Sequence, residues 1–279
     1  MVLKSFSKIN LSLNVNSKLK NRGLHEIQSY YCLINLSDKI IINKTKKKKD
    51  KILFKGFFSK NIKKSNNSVV NLLKLLRKLR LISNYYSLTI VKNIPVFSGL
   101  GGGTSNAAFI LKFLLKNRIT TNILNKAEKL IGSDLRLFFY KQAFLESLRN
   151  LKDVKKKNRL IFLLSYPNIN CSSREIYSKV KKYSKKIRFN FHRINTKKKF
   201  INHIFNQKNE LQPIVEKKHP IIKTLLKDIS IEKGCYFSRM SGSGSVCYGL
   251  FNSESSAKKA LYKIKAKYPK FWFSLAKTV

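Results

Sequence analysis

Acidic residues are scarce in this chain: 13 Asp and Glu stand against 59 Lys and Arg in 279 residues, a formal net charge of +46. Each acid at an unusual backbone position therefore carries weight. Cysteine is sparse as well. Cys32, Cys171, Cys235 and Cys247 are scattered and form no C-x-x-C pair, which argues against zinc and for plain thiols in a reducing compartment. No protein-only metal site is expected. Long apolar runs are missing too: Met1 to Val15 alternates polar and apolar residues and no membrane-length stretch follows, so neither a signal peptide nor a membrane span is expected, and the chain reads as cytoplasmic.

The charge makes nucleic-acid binding the obvious rival reading. Yet the lysine runs at 46–49, 155–157 and 197–199 fall where the hydrophobic pattern breaks, and neither interleaved aromatics nor zinc-finger spacing is present. The chain is also crowded with Ile, Asn, Phe and Tyr, so a bias toward A/T-rich codons accounts for the lysines without any partner. Loose binding to polyanions is expected, and no specific nucleic acid.

With 43% hydrophobic residues the chain can bury one large core or two ordinary ones. Alternation predicts strands over 3–15, 28–36, 39–44, 51–57 and 86–91. Asn66, Asn67 and Ser68 offer N-cap chemistry to a helix over 69–81. Further helices are expected over 107–117 and 122–131, then a strand-like stretch over 135–148. The composition resets near 159: a strand over 160–166 and helices near 173–183, 197–206 and 220–229 precede a β, β, α, β ending. The economical architecture is α+β in two lobes, 1–150 and 151–279.

Pro95 to Ala108 contains Gly99, Gly101, Gly102 and Gly103, four of the chain's eleven glycines within five positions, between a predicted strand and a predicted helix. Such a turn leaves backbone N–H groups pointing outward with the helix dipole behind them, an anion cradle suited to phosphate. Thr104-Ser105-Asn106 follows without the lysine of a Walker loop, and the dinucleotide fingerprint lacks its third glycine and its acid. A β-branched side chain at Gly102 is expected to fill the phosphate space. Three other stretches stand out: Phe6-Ser7-Lys8-Ile9-Asn10-Leu11, Gly132-Ser133-Asp134, and Ser241-Gly242-Ser243-Gly244.

Taken in order with Gly23-Leu24-His25-Glu26-Ile27-Gln28 and G-L-G-G-G-T-S-N-A-A, these stretches resemble the GHMP small-molecule kinases over nearly the whole chain. Within them, K-I-N-L followed by G-L-H-E-I-Q is similar to the branch acting on 4-diphosphocytidyl-2-C-methyl-D-erythritol in isoprenoid precursor biosynthesis. The resemblance implies the two-lobed GHMP fold, its N-terminal ATP lobe with a ribosomal-protein-S5-like β-α arrangement, and ATP with Mg2+ as phosphoryl source. It implies Asp134 as base for the acceptor hydroxyl with Lys8 beside it. For ATP it implies Gly99, Leu100, Gly101, Gly102, Gly103, Thr104 and Ser105 at the phosphates, with Asn67 and Lys92 flanking adenine. Asn10, His25, Tyr177, Ser241, Gly242 and Ser243 fall on the acceptor side, His25 reading the cytosine edge and Tyr177 stacking on the base. Either hydroxyl of Thr104 or Ser105 could serve the metal or the phosphates. The remaining histidines, His192, His203 and His219, read as structural.

Four departures from the resembled pattern follow. Leu24 stands for a stacking tyrosine, Phe97 and Ser98 for small residues in the loop, and Arg136 for a proline after the acid, while 147–150 lacks glycines. Two rivals are another GHMP kinase, acting on homoserine or mevalonate, and a decayed kinase fold binding nucleic acid.

Overall fold

The polar-apolar alternation near the N-terminus becomes β1 (Val2–Asn10) and β2 (Asn14–Lys18) in the computed structural model, which describes residues 1–19, 24–60, 62–63, 65–155, 157–187, 194 and 196–279. Gly23 and His192 lie outside the described residues. There follow β3 (His25–Thr45), β4 (Lys51–Lys55), α1 (Ser68–Lys78), β5 (Tyr85–Val91), α2 (Gly102–Leu115) and α3 (Thr121–Ile131). After a 3-10 segment, Ser133–Phe139, come β6 (Gln142–Ser147), β7 (Asn150–Asp153), β8 (Ile161–Tyr166), α4 (Ser173–Ser178), α5 (Lys197–Phe205), α6 (Gln212–Lys218) and α7 (Ile221–Ser230). The chain ends β9 (Cys235–Met240), β10 (Cys247–Phe251), α8 (Glu254–Lys267) and β11 (Trp272–Lys277).

Packing gathers these elements into two units, each discontinuous in sequence: Met1–Lys8, Leu36–Val96 and Gly101–Tyr140 in the first, and Ile9–Asn35, Phe97–Leu100 and Lys141–Val279 in the second. The expected cut at 150 does not match them. It would part residues of the second unit that bond directly, such as Leu13, whose amide donates to Lys208 O at 2.9 Å.

In the first unit, β5 alternates strictly and buries Tyr86, Leu88 and Ile90. It pairs antiparallel with 39–45 of β3 and parallel with β4. Helix α1 turns Val69, Leu72, Leu73 and Leu76 inward, and α2 is apolar on most sides, as a helix buried between neighbours must be. In the second unit, the first half of β3 pairs antiparallel with β2 and β6. There too β11, β8, β10 and β9 form an antiparallel sheet in that order, against which α7 and α8 pack.

Three expectations change. The strands over 28–36 and 39–44 are one strand, because Asp38, fully buried, finds its hydrogen bonds internally and needs no turn. The stretch over 135–148 is strand only in its second part. Its first part buries Leu135, Leu137 and Phe138 at a spacing no alternating strand has, and coils. The helix expected over 173–183 stops at Ser178, because the following chain is held extended by β2 and β3: Ser184 N donates to Val15 O, and the Gln28 amide bonds both backbone groups of Ile187. Among the described residues, no helix is long and apolar enough to cross a membrane.

Candidate active site

In the first unit, α2 starts under Gly101, an N-cap at φ +70° that no side chain caps, and its first turn has no acid. The Ser105 amide bonds Gly101 O at 2.8 Å, so helix geometry leaves the N–H groups of Gly102, Gly103 and Thr104 without intrahelical acceptors. Helix α1 opens alongside: Ser68 Oγ lies 3.6 Å from where a Cβ on Gly103 would sit. The starts of α1 and α2 thus lie side by side, and the free N–H groups and dipole at the start of α2 favour an anion there.

A Cβ on Gly101 would meet Phe138 Cζ at 2.9 Å and Lys8 Cε at 3.4 Å. Glycine is needed here both for the left-handed backbone and for this approach. Lys8, 4% exposed, runs beneath the cap, and its Nζ lies 3.3 Å from Asp134 Oδ2. The Asp134 side chain is 36% exposed and reachable. Lys8, Asp134 and the glycine-capped helix start, far apart in sequence, are therefore one cluster.

The two hydroxyls after the glycines differ. Ser105 Oγ is buried, 2.5 Å from Phe6 O and 2.7 Å from Ser5 Oγ, while Thr104 is half-buried at the open turn.

The expectation that a side chain at Gly102 would fill the phosphate space does not match the direction of its Cβ. A Cβ on Gly102 would point inward, 2.9 Å from Ile94 Cγ2, whereas one on Gly103 would meet only Ser68 Oγ at ordinary contact. Gly103→Val should therefore hinder an anion from reaching the start of α2 with little change in melting temperature, and Gly102→Val should mainly lower the melting temperature. Steady-state kinetics and thermal unfolding of both variants check this, and equal loss of stability in the two would contradict it.

Asn67 and Lys92 are engaged within the protein. Asn67 caps α1, its Oδ1 accepting from Val69 N and Val70 N at 3.1 Å. Lys92, 1% exposed, forms an ion pair with Asp38, whose other oxygen accepts from Asn93 N and Ile94 N. Burial pushes the Lys92 amine below its ordinary pKa, while the charge and hydrogen bond of Asp38 pull it upward. Sequence reasoning missed Asp38; the available signal was an acid inside an apolar strand.

In the second unit, Gly99 and Leu100 lie beside the glycine-serine turn. A Cβ on Gly99 would come within 2.0 Å of Ser241 O, so only glycine permits this approach. Ser241 Oγ donates to Gly99 O and accepts from Asn10 N, both at 3.2 Å. The Asn10 amide donates to Ser29 Oγ at 2.8 Å, and Asn10 Oδ1 lies 3.1 Å from the place of a Cβ on Gly242. Ser243 Oγ pairs with Ser173 Oγ at 2.7 Å. Asn209, also missed from sequence, donates to Met240 O and Gly242 O at 2.8 Å and fixes the turn.

His25, mostly buried, stacks on Tyr177 with ring centroids 5.2 Å apart and 27° between planes. Burial and nearby Lys18 push its pKa down, so at pH 7 the imidazole is neutral, with one nitrogen donating and the other accepting. Tyr183, 44% exposed, lies 6.2 Å from the same ring; nothing in the local sequence marked it. Leu24 is exposed beside His25. Phe97 is 60% exposed at φ +53°, a left-handed conformation that glycine alone adopts without strain.

Two family models match the chain: GHMP kinases N terminal domain over residues 67–132 and GHMP kinases C terminal over 192–270. The chain is 36% identical to a 4-diphosphocytidyl-2-C-methyl-D-erythritol kinase of Pelagibacter ubique, over 99% of this chain and 98% of that one. The fold is similar to a crystal structure of a 4-(cytidine 5'-diphospho)-2C-methyl-D-erythritol kinase, with a TM-score of 0.76, 20% identity and full coverage of both chains. It is also similar to the homoserine kinase of Cytophaga hutchinsonii, with a TM-score of 0.69, 15% identity and coverage of 98% and 94%.

Proposed function

The chain belongs to the 4-diphosphocytidyl-2-C-methyl-D-erythritol kinases within the GHMP family, and from this we propose that it transfers the γ-phosphoryl of ATP to the 2-hydroxyl of 4-diphosphocytidyl-2-C-methyl-D-erythritol, in isoprenoid precursor synthesis. The observation that carries the reading is the Lys8–Asp134 pair beneath the uncapped, glycine-led start of α2. Phosphoryl transfer asks for positioning and charge neutralisation more than covalent help. The N–H groups of Gly102, Gly103 and Thr104 hold the phosphates, Asp134 takes the acceptor's hydroxyl proton, and the Lys8 ammonium offsets charge beside both.

Magnesium fits this donor set through the triphosphate. Asp134 and Thr104 offer hard oxygens of the kind the ion takes, and among the described residues no group of three His, Cys, Asp or Glu could hold it alone. Bound with ATP, the ion neutralises charge on the transferring phosphoryl.

His25 and Tyr177 serve the cytosine end of the acceptor. The neutral imidazole reads the base edge by hydrogen bonds, and Tyr177, half-buried and so not a core residue, supplies the stacking face. Tyr177→Ala should raise the acceptor KM by an amount equivalent to about 1–3 kcal/mol, the range for base-aromatic stacking, with the KM for ATP unchanged. A fall in melting temperature with an unchanged acceptor KM would return Tyr177 to a structural role.

ADP release measured against the cytidyl acceptor, homoserine and mevalonate tests the whole reading. Turnover with the cytidyl acceptor supports it, and turnover confined to either other alcohol overturns it.

A further inference from the structure

Arg136 stands two residues past Asp134, where the resembled motif has proline. Its Nε donates to Glu128 Oε1 at 2.8 Å, and its Nη2 donates to Glu128 Oε2 at 3.2 Å and to Asn125 Oδ1 at 3.0 Å. Both side chains are largely buried, 14% and 8% exposed, and Glu128 holds the guanidinium above its ordinary pKa. Asn125 and Glu128 are three apart and share one face of α3. A two-pronged carboxylate contact with a third bond beside it fixes direction as well as distance.

Asp134 depends on such a fixture. Its segment, Ser133–Phe139, leaves α3 through Gly132 at φ +133°, and a Cβ there would find no atom within 4 Å. Gly132 is thus open where a side chain would stand. What ties it is backbone alone, its N–H donating to Glu128 O at 3.0 Å and its carbonyl accepting from Leu135 N at 3.2 Å, so side-chain contacts further along help set the tilt of the segment against α3. At the far end Lys112 of α2 donates to Phe138 O at 2.5 Å, and the Phe138 ring packs under Gly101. The segment is pinned to α2 at one end and, through Arg136, to α3 near the other. Asp134 lies between Gly132 and Arg136.

We propose that Arg136 and Glu128 form a positioning clamp that aims the Asp134 carboxylate. The clamp rests on the assignment of Asp134 as base. It does side-chain work where a proline ring would stiffen the backbone directly. Misplacing a reacting group by about 1 Å costs on the order of 100-fold in rate, so loss of the clamp falls on turnover and leaves the phosphate cradle untouched.

The test measures kcat, both KM values and the folded fraction at the assay temperature for Arg136→Met, Glu128→Gln and the exchanged pair Arg136→Glu with Glu128→Arg. Arg136→Met should lower kcat about 10- to 100-fold with the KM for ATP within about twofold. Glu128→Gln, which keeps the shape and one acceptor, should lose less in the same sense, and the exchanged pair should recover most of what Arg136→Met loses. Values of kcat that stay near the starting protein's, or that fall only in proportion to the folded fraction, overturn the clamp. Should Arg136→Met not fold, Glu128→Gln decides alone by the same criterion. Failure of the base assignment reads out separately: Asp134→Asn would then retain turnover, whatever Arg136→Met does.

Discussion

Asp134→Asn should fold, bind ATP with unchanged affinity, and turn over about two to four orders of magnitude more slowly than the starting protein, the usual worth of a general base. The amide keeps the shape of the carboxylate and can still accept a hydrogen bond from Lys8, so the cluster beneath Gly101 stays assembled. What it loses is the ability to take the hydroxyl proton. Because the side chain is about a third exposed, the melting temperature should move little. Steady-state kinetics with ATP titration and thermal unfolding check this together, and turnover within tenfold of the starting protein would remove Asp134 from the mechanism.

Lys92→Met should lower the free energy of unfolding by about 3–5 kcal/mol, the cost of leaving one partner of a buried ion pair uncompensated. Asp38 is completely buried and would keep only its backbone donors, Asn93 N and Ile94 N. Asp38→Asn should cost a comparable amount, and the double variant less than the two singles added, since each single strands a charge that the double removes. Urea denaturation of the three variants measures this. Were Lys92 chiefly a contact for adenine, Lys92→Met would raise the KM for ATP and leave the urea midpoint in place. The pair also sits near the glycine-led start of α2, Lys92 Nζ being 3.4 Å from the place of a Cβ on Gly102. A loss of stability there would therefore carry some loss of ATP affinity with it, and the urea midpoint separates the two.

Local rules were enough for much of this protein. Alternation made β5 legible, the Asn67 cap made α1 legible, and the glycine run before an apolar helical stretch marked the phosphate cradle, because each depends on residues within a few positions of one another. The same rules misread 135–139 as strand, since an apolar and aromatic run carries little sign of helix or sheet when its burial is decided by Gly101 and Lys112 of another element. The resemblance named Lys8 and Asp134, but only packing brought Nζ and carboxylate to 3.3 Å.

Sequence by itself determined the mixed α and β elements, the glycine-led helix start, and the short list of polar residues available for chemistry, because backbone preference and side-chain chemistry travel with the residue. Tertiary structure decided which of two adjacent glycines has open space at its Cβ position, which of two hydroxyls remains at the open turn, and that Lys92 belongs to a buried pair with Asp38. It also joined Arg136 to Glu128 and Asn125 across Gly132. Each of these depends on a direction in space: the phase of α2 against Ile94, the depth of Ser105 beneath Phe6, the reach of a guanidinium to the face of α3. Direction is set when elements pack, and no spacing along the chain records it.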